Sequence, residues 1–212
     1  MDNKVFLIHG FNKTASDMYP LERYLGQMGY NCINLSFQLK FHSFEEAAII
    51  LSAHLKEKIR NGEKVFLIGH STGGIVIRKV LTDPACAKKV ARVVLIATPN
   101  QGSGLAGIAH FIRPFTFVYK TLLSITPAFI GKYQFGRSNV EIGAIAGDRA
   151  GLLLGKVLRQ RNDGRVETSS VWMPELKDYL ILPYHHKQIH HRPEIAKLIH
   201  HFLQNGCFIK HT

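Results

Sequence analysis

The run Lys64-Val65-Phe66-Leu67-Ile68-Gly69-His70-Ser71-Thr72-Gly73-Gly74 decides the architecture of this chain. Its apolar first half is short and bounded by glycine, which reads as a strand buried on both faces. Ile75-Val76-Ile77-Arg78-Lys79-Val80-Leu81 follows at once as a helical run. A strand that passes into a helix through so sharp a turn leaves no room for side chains beside Ser71, and glycines on either side relieve the clash. The serine hydroxyl is thereby presented at the edge of a sheet, the arrangement known as a nucleophile elbow. The competing reading is a phosphate-binding glycine loop, but the lysine and spacing of a P-loop are missing.

An exposed serine needs partners before it can attack a carbonyl. The first strand, Lys4-Val5-Phe6-Leu7-Ile8, ends in His9-Gly10-Phe11, where glycine lets the backbone turn so that the next amide faces the site. The N–H groups of Phe11 and Thr72 are the candidate donors for a tetrahedral oxyanion, each worth about 2.7–4 kcal/mol in such sites. In the chain order that accompanies an elbow, the acid follows the serine and precedes the histidine. Asp163, in the turn Asn162-Asp163-Gly164, and Asp148, directly after a strand expected from Val140 to Ala146, both qualify. For the base, His185 and His186 both lie between the last strand, Tyr179-Leu180-Ile181-Leu182, and a terminal helix. That helix opens at Pro193, carries Ile195, Leu198, Ile199, Phe202 and Leu203 on one face and stops at Asn205-Gly206. His185, His186, His190 and His191 could also be read as a metal cluster. No His-Glu-x-x-His arrangement or nearby cysteine supports that, and no metal or cofactor is expected.

The rest of the chain alternates in the same way. Strands are expected at Val5–Ile8, Tyr30–Phe37, Val65–Gly69, Val90–Ala97, Val140–Ala146 and Tyr179–Leu182, separated by helical patterns such as Met18, Leu21, Leu25, Met28 and Ala48, Leu51, Leu55, Ile59. Apolar strands alternating with amphipathic helices predict an α/β domain with a mostly parallel sheet covered on both faces, and all candidate site residues fall at the strands' C-terminal ends. A length of 212 residues suits one such domain, with no linker or internal repeat.

These motifs resemble the α/β-hydrolase superfamily, and within it the lipase-like serine esterases. The resemblance spans nearly the whole chain through His9-Gly10, Gly69 to Gly74, Thr98-Pro99-Asn100-Gln101-Gly102-Ser103, Asn162-Asp163-Gly164 and His186, in that order. It implies a minimal α/β-hydrolase fold of about six strands, without the first strands of larger members. By the family pattern Asp163 is preferred over Asp148. The base commonly sits seven residues before the proline that opens the last helix, which selects His186 over His185. The implied assignment is Ser71 nucleophile, His186 base and Asp163 orienter, acting on carboxylic esters through an acyl-enzyme. A related enzyme alternative is an acyltransferase or thioesterase using the same triad. An alternative of another class is an idle hydrolase fold serving as a basic membrane- or partner-binding module. The chain departs from the family at Asn100, where a histidine is common, and at Arg165, where an apolar residue is common.

Residues 104–138 break the alternation. Phe111, Phe115, Phe117, Tyr119, Phe129, Tyr133 and Phe135 lie among aliphatics, Pro114 and Pro127 divide the stretch, and no acidic residue occurs between Asp83 and Glu141. This is expected to be an inserted apolar cap that packs on the sheet, lines an acyl pocket and touches anionic lipid; Arg113, Pro114, Lys120 and Pro127 exclude a membrane-spanning helix. The net charge of +12 is compatible with a solvated basic surface, an anionic membrane or an anionic substrate. Basic residues, including Lys88, Lys89 and Arg92, are scattered without a nucleic-acid module, so nucleic acid is not an expected partner. An ester or acyl-lipid is the expected substrate, and the oligomeric state is not legible. Three widely spaced cysteines, Cys32, Cys86 and Cys207, form no disulfide framework. Met1-Asp2-Asn3-Lys4 leads straight into a core strand without a signal segment, so the expected location is cytoplasmic with membrane association.

Overall fold

The computed structural model describes residues 3–39, 42–60, 62–102, 139–151 and 160–209, together with 130 and 158. In chain order they form β1 (Lys4–Ile8), a 3-10 turn (Ala15–Met18), α1 (Tyr19–Gln27), β2 (Asn31–Leu35), α2 (Phe44–Lys58), β3 (Val65–His70), α3 (Thr72–Val80), α4 (Pro84–Ala87), β4 (Val90–Ile96), β5 (Glu141–Gly147), α5 (Thr168–Val171), β6 (Asp178–Leu182), a second 3-10 turn (Ile189–His191) and α6 (Pro193–Asn205). The cap expected over 104–138 lies outside the described residues apart from Ile130.

All six strands pair in parallel, in the order β2-β1-β3-β4-β5-β6. Period-2 alternation in strands buried on both sides divides the core in two. Phe6 and Ile8 of β1, Leu67 of β3 and Val93 and Leu95 of β4 face Leu51 and Leu55 of α2 and Ile75 and Val76 of α3. Val5 and Leu7, Ile68, Val94 and Ile96 face the other way, onto Leu21 and Leu25 of α1 and Ile195, Ile199 and Phe202 of α6. Successive residues of each strand therefore serve opposite cores.

The element ends follow local chemistry. Pro20 has no N–H to give, so α1 starts at Tyr19 and the preceding Ala15–Met18 segment tightens into a 3-10 turn that still buries Met18. Ser43 and Glu46 close a capping box on α2, with Ser43 N–H donating to Glu46 at 2.7 Å and Glu46 N–H donating to Ser43 Oγ at 3.3 Å. Pro193 opens α6, and Gly206 ends it in the left-handed region at φ 74°. β2 stops at Leu35, two residues short of the span expected from sequence, because Phe37 N–H leaves the ladder to donate to His9 Nε2 at 2.9 Å.

The chain runs outward from β1 to β2 and then crosses back to β3 on the other side. The neighbouring C-terminal ends of β1 and β3 are thus a topological switch point, where loops diverge and leave a crevice. Ile8 of β1 stands in register with Gly69 of β3, so His9-Gly10-Phe11 emerges beside the elbow.

Candidate active site

Ser71 carries φ 54° and ψ −126°, a conformation that costs a non-glycine residue about 1–3 kcal/mol and persists only where the surroundings enforce it. Two backbone bonds do so: Ser71 N–H donates to Ile96 O at 2.8 Å and Gly74 N–H donates to Ser71 O at 3.0 Å. Packing allows nothing larger than glycine two positions to either side of it. A Cβ on Gly69 would lie 2.6 Å from Gly74 N, and one on Gly73 would lie 2.6 Å from His9 O, both main-chain atoms with little freedom to retreat. The glycines read from sequence as clash relief are clash relief against two different elements, α3 for Gly69 and β1 for Gly73.

Opposite the serine, His186 leaves the loop after β6. Its Nε2 lies 3.0 Å from Ser71 Oγ, and its Nδ1 lies 2.7 Å from Asp163 Oδ2. A carboxylate only accepts, so Nδ1 carries the proton and Nε2 is left to accept from the serine hydroxyl. Asp163 is fully buried, and its other oxygen accepts the N–H groups of Arg165 at 2.9 Å and Val166 at 2.8 Å. The same turn clamps His186 a second time, through His186 N–H donating to Asp163 O at 2.9 Å. Asn162 shapes the turn by accepting Gly164 N–H at 2.8 Å, and Gly164 supplies the positive φ of 95° that the turn needs.

The two alternatives left open by the residues lie elsewhere. Asp148 turns to Arg161, whose Nε donates at 2.8 Å. His185 Nδ1 donates to Arg149 O, away from the serine. Of the donor candidates, Thr72 is the first residue of α3, where a backbone N–H has no acceptor within the helix. Phe11 lines the same small cleft as Ser71 and His186. Gly10 stands so close to the elbow that a Cβ there would lie 3.0 Å from Ser71 Cβ. Asn100, one of the departures from the family pattern, is buried and bridges α3 to α5: Arg78 Nη1 donates to its carbonyl at 2.8 Å, and its Nδ2 donates to Val171 O at 2.6 Å. Burial pulls the Arg78 guanidinium down to about 10.

Sequence reasoning noted His190 and His191 only as possible metal ligands and missed the polar cluster that they form with His70 and Asp17 behind His186. His70, inside the elbow itself, donates from Nε2 to the main-chain O of His186 at 3.0 Å. The His190 ring stacks on His70 with centroids 3.7 Å apart and donates from Nε2 to Asp17 Oδ2 at 3.0 Å. His191 Nε2 donates to Asp17 O at 2.9 Å, and Lys13 pairs with Asp17 Oδ1 at 2.7 Å. Burial alone would raise the Asp17 carboxyl, but the bonds from His190, His191 and Lys13 outweigh it and hold the group well below the usual carboxylate range. Desolvation holds His70 well below its ordinary value, helped by His190 and His186 nearby, and lowers His190 as well. The position of His70 beside Ser71 was a legible signal, whereas nothing in the sequence marks Asp17.

Asp17, His70 and His190 place potential ligand atoms within 4.8 Å of one another. The two imidazoles, however, are tilted by only 24° in their stack, so their in-plane lone pairs run side by side rather than converging on a tetrahedral centre. Lys13 already neutralises the carboxylate. The arrangement is that of a hydrogen-bonded support.

The cleft at Ser71 is rimmed by Lys13, Arg165 and Lys187. No helix among the described residues is long and apolar enough to cross a membrane.

Comparison with known proteins gives one family and many folds of the same kind. Residues 23–160 match the model of the PGAP1-like alpha/beta domain, a span that includes Ser71 and ends before Asp163 and His186. No curated protein sequence matches the chain. Among solved structures, the chain is similar to the lipase BlEst2 of Bacillus licheniformis in its propeptide form, with a TM-score of 0.85 and 20% identity over 100% of this chain and 52% of that one. The chain therefore spans about half the length of that form; it covers 91% of the mature form, at a TM-score of 0.75. A metagenomic carboxyl esterase superposes with a TM-score of 0.76 and 15% identity over 97% of this chain and 76% of its own. Phospholipase PlaB from Legionella pneumophila follows at 0.60 and 19%, over 79% of this chain and 44% of its own.

Proposed function

The chain belongs to the PGAP1-like alpha/beta domain family and has a minimal α/β-hydrolase fold, and on that premise we propose that it is a serine hydrolase that cleaves carboxylic esters through a covalent acyl-enzyme. The observation that carries the reading is the run of hydrogen bonds from buried Asp163 through His186 to Ser71. Ser71 Oγ attacks the ester carbonyl carbon as His186 Nε2 takes its proton. Negative charge moves onto the carbonyl oxygen, where the amides of Phe11 and Thr72 donate to it. Asp163 holds the imidazole in the required tautomer and stabilises the imidazolium. The tetrahedral species collapses, the alcohol leaves with the proton from His186, and Ser71 carries the acyl group. Water then attacks with His186 as base, releasing the acid and restoring the serine.

The substrate we assign is an ester or acyl-lipid. The cationic rim of Lys13, Arg165 and Lys187 and the net charge of +12 favour lipid with an anionic head group or an anionic membrane surface. All three cysteines are free thiols, which favours a reducing, cytoplasmic setting. The single-domain organisation, with 104–138 as a cap, is part of the same proposal.

The test is labelling with a fluorophosphonate probe, wild type against Ser71→Ala, followed by p-nitrophenyl esters of increasing acyl length. Labelling should vanish in the variant, and kcat should fall by about 10⁶-fold. Retained turnover in Ser71→Ala would sink the assignment.

A further inference from the structure

We propose that His70 is a positioning residue that tethers the loop carrying His186 to the elbow carrying Ser71, and that His190 and Asp17 brace it from behind. The proposal rests on the hydrolase reading above and extends it to residues that do not touch the reacting atoms.

The geometry is specific. His70 and Ser71 are adjacent in the chain, so the bond from His70 Nε2 to His186 O links the nucleophile's own segment to the base's own segment. A carbonyl oxygen can only accept, so Nε2 of His70 carries a proton. His70 Nδ1 is buried and has no hydrogen-bond partner among the described residues. It stands 3.9 Å from Asp17 Oδ2. Nδ1 of His190 is likewise buried without a partner, because the single proton of that ring is given to Asp17 through Nε2. Both rings are thus neutral, with one tautomer each, and they are stacked face to face.

Neutrality is what suits His70 to this place. His186 becomes an imidazolium during acyl transfer, and its ring lies 4.9 Å from that of His70. A lysine or arginine could make the same bond to the His186 carbonyl, but its charge would oppose the forming imidazolium at short range in a dry site. A neutral imidazole donates the bond without that penalty. The brace reaches a third part of the site as well: Asp17 lies in the 3-10 turn after β1, so the segments following β1 and β6 meet the last residue of β3 at one stacked pair.

The test uses His70→Leu, which keeps bulk and removes the donor, and His70→Gln, whose amide Nε2 restores a neutral donor. His70→Leu should lower kcat by about 10²-fold, the cost of misplacing a reacting group by about 1 Å, with KM within about twofold of wild type. His70→Gln should recover kcat to within about fivefold at a comparable melting temperature. Unchanged kcat in His70→Leu, or an equal loss in both variants, would overturn the proposal and leave His70 as packing. A second readout needs no turnover: in the Ser71→Ala background, hydrogen exchange of amides 184–189 should quicken with His70→Leu and not with His70→Gln. Equal exchange in the two would overturn the tether. Failure of wild-type protein to react with the fluorophosphonate would instead overturn the hydrolase reading and the kinetic role with it, while the exchange comparison upholds or overturns the tether by itself.

Discussion

Replacing Asp163 by asparagine should abolish most activity while leaving the fold intact, and the reason can be worked from its contacts. One carboxylate oxygen accepts two backbone N–H groups, that of half-buried Arg165 and that of buried Val166, and the other accepts His186 Nδ1–H. Asparagine has one oxygen and one NH₂ to divide between these. Turning the NH₂ toward the two amides would leave both donors unsatisfied, the buried one of Val166 at about 1–3 kcal/mol. Turning it toward His186 keeps both amides satisfied and strands only one N–H of the asparagine itself, provided the imidazole moves its proton from Nδ1 to Nε2 and accepts the other. The second arrangement wins, and it points an N–H at Ser71 Oγ where a lone pair is needed. Loss of the base through the wrong tautomer costs about 10⁴-fold in kcat in comparable sites, or about 5 kcal/mol of barrier. Asp148→Asn is the control: its partner Arg161 has a side chain 62% exposed, so that pair is worth about 0–1 kcal/mol and nothing at the serine changes. Ester turnover measured for both variants, with melting temperatures alongside, decides the matter. More than a tenth of wild-type kcat in Asp163→Asn, or a comparable loss in Asp148→Asn, would refute the reasoning.

Other consequences follow from the same contacts. Gly73→Ala would drive a methyl group into the backbone of His9 at the end of a central strand, so urea unfolding should show a loss of at least about 1–3 kcal/mol; a variant as stable as wild type would mean that α3 can slide away from β1. His9, His70 and His190 are all held below their ordinary value of 6.5 chiefly by burial. Their contribution to stability is complete above pH 6.5 and is lost as pH falls through the lowered folded values, because the unfolded chain then binds the protons first. Asp17 adds a loss of the same sign below its ordinary 3.8. The melting temperature should therefore fall between pH 7 and 5, by about 2–4 °C per kcal/mol lost, and a flat or rising profile would contradict the burial of these rings. Burial, with the Glu22 charge nearby, pushes the Cys32 thiol up to about 12, and burial also raises Cys86. Iodoacetamide at pH 8 should accordingly modify exposed Cys207 in the folded protein and reach the other two only on unfolding, as peptide mapping would show.

Much of the molecule was legible from local pattern. The six strands, the switch from strand to helix at Ser71, and the start and stop of α6 at Pro193 and Gly206 are written in hydrophobic period and in the special backbone chemistry of glycine and proline. The capping box at Ser43 and Glu46 was not among the sequence expectations, although a serine followed three residues later by glutamate before an apolar run carries its signal. The end of β2 was not, because Phe37 leaves the ladder for a histidine 28 positions away. The choices between Asp163 and Asp148 and between His185 and His186 could be made from family resemblance but not from the residues alone, since all four sit in polar turns.

The sequence by itself determined the layers and the elbow, because periodicity and steric demands act between residues close along the chain. Only the tertiary structure decided which acid and which histidine face Ser71, and it alone brought Asp17 and His190 behind His70. Most of those pairings join residues more than a hundred positions apart, as in Ser71 with His186, His70 with His186 and Asp17 with His190. They arise when parallel strands align their C-terminal ends and gather separate loops at one edge of the sheet. No local propensity encodes that meeting; it is a consequence of strand order and register.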